Sequence, residues 1–374
     1  MAAMNMQPFA LERFFARHEF HVAHMLCASD CETFTVRELL ALEAGAEEEF
    51  AALRLNYTET AGNPELRRQI ASLYQGITAD DILVFAGAEE AIFIFMNAVV
   101  NAGEHLLVHS PCYQSLTAVA EGNGCQVTRW QTIQENGWEL DLEFLEHPTK
   151  AATRALVVNF PHNPSGYLPS RDFFERLLQL AAAKEWLVFS DEVYRFLEYN
   201  PEKRLPAACE IYENGISLGV MSKSFGLAGL RLGWIACRNP GILQKMAEFK
   251  DYTTICTAAP SEFLSSLALR HHETILNRNG EIIARNLDLL RDFMRQHAEH
   301  FSWREPQAGP VAFPRVNFAQ ASDDFCADLL QKEGVLLLPG RLFSAAPAQF
   351  RIGFGRRDFH CGLERLAAYM KEKN

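Results

Sequence analysis

One lysine in this 374-residue chain is framed for chemistry. The run Val220-Met221-Ser222-Lys223-Ser224-Phe225-Gly226-Leu227-Ala228-Gly229-Leu230-Arg231 puts Lys223 just after an apolar segment, 216–221, that reads as a buried strand. A second cation, Arg231, follows eight residues later, directly before another apolar run at 232–237. A lysine forms Schiff bases with carbonyl compounds once burial or a nearby charge leaves part of it neutral. The glycines between the two cations let the loop wrap an anion, and ligands of α/β sheets sit where these residues fall, at the C-terminal ends of strands. A solvated basic loop has the same composition, so the neighbours decide. Two more polar stretches also end apolar runs: Asn159-Phe160-Pro161-His162-Asn163-Pro164-Ser165-Gly166 and Phe189-Ser190-Asp191-Glu192-Val193-Tyr194.

Taken in order, Asn163, Asp191, Tyr194, Lys223, Arg231 and Arg351 resemble the polar residues of the class I/II aminotransferases, pyridoxal phosphate enzymes of fold type I. The resemblance covers nearly the whole chain. It implies that Lys223 forms the Schiff base with pyridoxal 5'-phosphate and that Asp191 holds the protonated ring nitrogen, which makes the ring an electron sink. The adjacent Glu192 points away in this reading. Asn163 and Tyr194 act as donors to the ring's phenolate oxygen. Ser222 and Arg231 hold the phosphate, together with the helix start at Gly87, Ala88 and Glu89. Tyr113 stacks on the ring, and Arg351 pairs with the substrate carboxylate through its planar fork. Tyr57 reaches a neighbouring subunit's phosphate, which implies a homodimer with its sites at the interface. One position departs from the pattern: the family often has a hydroxyl residue three before the lysine, and Val220 stands there.

The implied reaction moves an amino group between an L-amino acid and a 2-oxo acid. Other reactions on the same site, such as β-elimination, decarboxylation or cyclisation, begin from the same imine. A non-catalytic, cofactor-binding regulatory module is a rival of another class, but no basic helix-turn-helix pattern precedes Tyr57. The segment Ala28-Ser29-Asp30-Cys31-Glu32-Thr33-Phe34 corresponds to one that touches the substrate in the family. Asp30 and Glu32 there suggest a cationic or polar substrate side chain, or are solvated loop residues with Asp30 capping a turn.

Composition agrees with an enzyme of small molecules. With 35 basic and 47 acidic residues the formal charge is −12, which argues against nucleic acid or an anionic membrane as partner. The nine cysteines are scattered without a CxxC pair and read as buried thiols of a reducing, cytoplasmic compartment. The N-terminal stretch has neither a basic start nor a long apolar core, so no signal peptide is expected. The longest apolar run, 91–100, is too short to span a bilayer. His18, His21 and His24 are spaced three apart, but no carboxylate or cysteine signature completes a metal site.

The elements that must position these residues follow from periodicity. Residues 9–26 read as a helix, as do 35–43, capped by Thr35 with Glu38 at the capping-box position. Another helix begins at Pro64. Ile82–Phe85 is a strand that runs into Gly87, where free N–H groups at a helix start favour an anion, and that helix is expected to end near Gly103. Strands near 106–109, 126–130, 154–159, 186–190, 216–221 and 232–237 alternate with helices such as 170–184. That pattern predicts an α/β fold with a mostly parallel, doubly wound sheet. After Pro260 come long helices, 261–270 and 273–299, then strands near 311–318, 334–338 and 349–354 and a helix over 358–371. The division expected is a large cofactor-binding α/β domain, 46–275, and a smaller α+β domain from 1–45 plus 276–374.

Overall fold

The computed structural model describes residues 6–146, 153–345 and 347–372. Its centre is a seven-stranded sheet of β1 (Ile82–Phe85), β2 (His105–Ser110), β3 (Gln126–Gln131), β4 (Thr153–Asn159), β5 (Leu187–Asp191), β6 (Gly215–Val220) and β7 (Gly233–Ala236). The strand order is β1-β7-β6-β5-β4-β2-β3. All pairings are parallel except those of β7, which runs antiparallel to both β1 and β6.

Strand composition explains the burial on both faces. Along β4, Ala155 and Val157 face one apolar cluster while Leu156 and Val158 face another, as the two-residue period of a strand requires. The helix α1 (Ala88–Ala98) covers the first face with Ile92 and Phe95; α2 (Arg171–Ala183) covers the second with Phe174 and Leu177. Each fully buried Val or Leu of this kind contributes about 1.5–3 kcal/mol.

Register then decides which loops meet. Asn159 pairs with Asp191, Asp191 with Leu218, and Gly233 with both Val220 and Phe85. The ends of β1, β4, β5 and β6 and the start of β7 therefore share one rim. Gly233 lets that rim close: a Cβ there would lie 2.9 Å from the Gly87 carbonyl carbon and 3.0 Å from the Ala88 nitrogen.

The C-terminal segments build a second apolar core around Phe301, Phe325, Phe350 and Tyr369, between the helices α3 (His272–Gln296) and α4 (Phe359–Glu372). Within it β8 (Phe350–Gly353) pairs antiparallel with Val311–Ala312 and with Leu338–Pro339. The N-terminal segment joins this core: Gly353 N–H donates to the Leu26 carbonyl at 2.8 Å, and Glu32 N–H to the Gly355 carbonyl at 2.8 Å.

Four expected elements differ. The helix read over 9–26 is only Ala10–His18, because His24 and Met25 leave it to pair in parallel with Val335 and Leu336. The helix after Gly87 stops at Ala98, not near Gly103. The strands read at 311–318 and 334–338 are each broken into two-residue pieces, the first by Phe313 and Pro314. The cap at Thr35 and the helix start at Pro64 form as the sequence predicts, the latter capped by Asn63.

Gly353 is a tight point of this arrangement, since a Cβ there would collide with the backbone of Ala28. Gly353→Ala is expected to lower stability in urea unfolding by about 1–3 kcal/mol, the cost of overpacking a closed site. Unchanged stability would show that the N-terminal segment is not pinned on β8.

Candidate active site

The shared rim opens into a cavity of about 340 Å³. Its floor comes from the sheet loops. Lys223 lies three residues past the end of β6 and Asp191 is the last residue of β5. Lys223 Nζ donates to Ser29 Oγ at 2.9 Å. Burial lowers its pKa, opposed by the charge of Asp30 and reinforced by that of Arg351. Asp191 is 5% exposed; burial pushes its carboxyl up to about 7, partly offset by the Val193 N–H that it accepts at 3.2 Å. Glu192 faces the other way, accepting from Ala208 N–H at 2.9 Å and Ser217 Oγ at 2.8 Å. Of the two adjacent carboxyls, Asp191 lines the cavity and Glu192 does not.

One end of the floor is a cradle. Gly87 caps α1 with φ +90, and Ala88 and Glu89 open that helix on the cavity wall. A Cβ at Gly87 would lie 2.6 Å from an Arg231 guanidinium nitrogen, which the arginine could relieve by shifting, but the φ of +90 is one that L side chains rarely adopt. Arg231, itself in the left-handed region at φ +46, donates to Ser222 Oγ at 3.3 Å. N–H groups of a helix start beside a guanidinium and a hydroxyl form a site for a phosphate-like anion. Val220 lines the cavity where a hydroxyl residue was noted as missing.

The roof comes from the second core. Arg351 on β8 is 1% exposed and joins the two units, donating to Asn163 Oδ1 at 3.0 Å and to the Cys27 carbonyl at 2.8 Å. Its Nε is buried without a partner. Asn163 is fixed in turn by Asn159 Oδ1, which accepts its N–H at 2.7 Å. Tyr113 lines the cavity and donates to Glu12 Oε1 at 3.2 Å.

Several residues stand elsewhere than the sequence suggests. Tyr194 is fully buried behind the cavity wall, and its hydroxyl donates to the Ser29 carbonyl at 3.0 Å, so it positions the residue that holds Lys223. Glu32 is absent from the lining because its carboxylate accepts the Arg357 N–H at 2.8 Å. Asp30 lines the cavity but is tied to Arg356 at 2.8 and 2.9 Å. Tyr57 is 85% exposed and borders a separate depression of about 540 Å³ with Glu262 and Arg270.

The sequence reading missed Leu11, Glu12, Phe15 and Glu19, all lining the cavity from the N-terminal helix Ala10–His18 and its C-cap. Glu12, Phe15 and Glu19 recur with a helical period, the one signal that marked a shared face. Ser29 and Arg356, also missed, carry no local signature. Among the described residues no group of His, Cys, Asp and Glu could hold a metal, and no helix is long and apolar enough to cross a membrane.

The family profile described as Aminotransferase class I and II matches residues 25–358. The chain belongs to that family. It is 28% identical to the capreomycidine synthase of Streptomyces vinaceus over 362 residues, 96% of this chain and 92% of that protein. A solved PLP-dependent aminotransferase from Streptococcus suis superposes with a TM-score of 0.93 at 30% identity, covering 99% of each chain. The solved PLP-dependent cyclase OrfR superposes at 0.89 with 28% identity, covering 99% of this chain and 98% of that one. The fold is fold type I, and the protein is a pyridoxal phosphate enzyme. The helix start beside Arg231, the Arg351 Nε left unpartnered among the described residues and the lysine that lines the same cavity are what such a cofactor and an amino acid need.

Asp191 also predicts a pH effect. A carboxyl raised from 3.8 to about 7 by folding is stabilising while protonated, and that contribution is lost as pH rises through this window. Urea midpoints of the cofactor-free protein are expected to fall between about pH 4.5 and 7, and to fall less in Asp191→Asn. An equal fall in both proteins would remove Asp191 as the cause.

Proposed function

We propose that the protein is an aminotransferase that moves an amino group between an L-amino acid and a 2-oxo acid, with Lys223 as the catalytic amine. The observation that carries this is the placing of Lys223 between Asp191 on the floor and Arg351 on the roof of one cavity. Pyridoxal phosphate supplies an aldehyde that condenses with amines and a protonated ring that accepts electron density from the bonds at Cα.

This chain's residues do the rest. The N–H groups of Ala88 and Glu89 at the start of α1, with Ser222 and Arg231, would hold the phosphate, while the Gly87 N–H, assigned to the same task from the sequence, instead donates to the Phe85 carbonyl at 2.8 Å. Asp191 would bind the ring nitrogen, whose positive charge would favour ionisation of a carboxyl that burial pushes up to about 7. Tyr113 covers the ring face and Asn163 donates to the phenolate oxygen, while Tyr194 keeps Ser29 in place. The Arg351 fork takes the α-carboxylate. Lys223 would move the substrate's Cα proton to C4′ of the cofactor, and its lowered pKa leaves more of it neutral for that task.

The second core encloses the roof, and we take 46–275 and 1–45 with 276–374 as the two domains. Tyr57, exposed here, is assigned to a partner's phosphate in a homodimer. The nine free thiols fit the cytoplasm. A cyclase or lyase reaction on the same residues is the second reading, favoured by the likeness to capreomycidine synthase and to OrfR.

Holoenzyme mixed with single L-amino acids is expected to yield the pyridoxamine form and one equivalent of 2-oxo acid. Ammonia, or a cyclised amino acid, with the cofactor regenerated would instead establish the second reading. Tyr57→Phe is expected to weaken cofactor retention by about 1–3 kcal/mol in dialysis against competing aldehyde. A fully active monomer in sedimentation would remove Tyr57 from the site.

A further inference from the structure

Resting on the aminotransferase reading, we propose that the substrate carries a cationic side chain, an ammonium or a guanidinium, and that Glu12 and Glu19 recognise it. Four basic side chains, Lys223, Arg231, Arg351 and Arg356, and five carboxyl groups, Glu12, Glu19, Asp30, Glu89 and Asp191, line the cavity. Most already have an occupation. Asp30 is paired with Arg356, Arg231 belongs to the anion cradle, and Asp191 lies at the floor. Burial pushes Glu89 up to about 7, which leaves it a weak anion.

Glu12 and Glu19 remain. They are two helical turns apart on one face, with Phe15 between them, and all three line the cavity. Glu12 accepts only from Tyr113, at 3.2 Å; the Glu19 carboxylate has no hydrogen bond or ion pair among the described residues. Burial and then the like charges of Glu12 and Asp30 raise the pKa of Glu19, a cost that a bound cation removes.

An independent feature of the same cavity also points to a ligand. Arg351 is buried with its Nε unpartnered, so an anionic group completes the roof. A molecule with a carboxylate at one end and a cation at the other satisfies both sets. Leu11, Phe15 and Met25 offer apolar surface for the methylene stem that long cationic side chains bury.

The test compares L-arginine with L-citrulline and L-lysine with L-norleucine on holoenzyme, Glu12→Gln and Glu19→Gln. Half-reaction rates are read from cofactor absorbance, and binding from calorimetry. The expected result is a preference of about tenfold or more for each cationic member, lost in either variant while the neutral member is unaffected. Equal rates and affinities within each pair, or variants that weaken both members alike, would overturn the proposal while leaving transamination intact. Selective binding of L-arginine without formation of the pyridoxamine form would sustain the charge recognition and contradict the transaminase reading instead.

Discussion

Everything in this structure answers to one constraint: a lysine ammonium must be kept largely out of water without being locked into an ion pair. An isolated buried charge costs several kcal/mol, and proteins usually neutralise it or pair it. Here Lys223 is given a hydroxyl, Ser29 Oγ, rather than a carboxylate. Asp30, which would otherwise be the nearest counter-charge to claim it, is taken by Arg356. The outcome is a lowered pKa and an amine left available for a carbonyl.

Sheet register supplies the geometry for that balance. Strand ends that are distant in sequence become neighbours because Asn159 pairs with Asp191 and Gly233 pairs with both Val220 and Phe85. Glycines at 87 and 233 remove the side chains that would hold the rim open. Arg351 then couples the sheet unit to the second core through Asn163, so the roof cannot move without disturbing the floor. Tyr194 performs a similar service from behind, through the Ser29 carbonyl.

The sheet and most of the floor were legible in the sequence because both rest on local signals. Apolar runs ending in Asn163, Asp191 and Lys223 mark strand ends, and Gly87 marks a helix start after a strand. What could not be read depends on tertiary pairing. The N-terminal helix stops at His18 because His24 finds Val335, more than three hundred residues away, and no local pattern encodes that choice. Of the acidic residues chosen from sequence, Asp30 lines the cavity but is paired with Arg356, and Glu32 accepts from the Arg357 backbone. Glu12 and Glu19, which line the cavity and form no ion pair among the described residues, lie on a helix and its C-cap whose docking only the folded chain reveals. Tyr113 lines the cavity, and its hydroxyl partner on that same helix was invisible in the sequence.

The account stands or falls on which lysine carries the cofactor. Borohydride reduction of the holoenzyme, followed by proteolysis and mass spectrometry, reads this directly. The account predicts a single pyridoxyl adduct, on the peptide containing Lys223. An adduct on any other lysine, or a holoenzyme whose cofactor cannot be fixed by reduction, would contradict it.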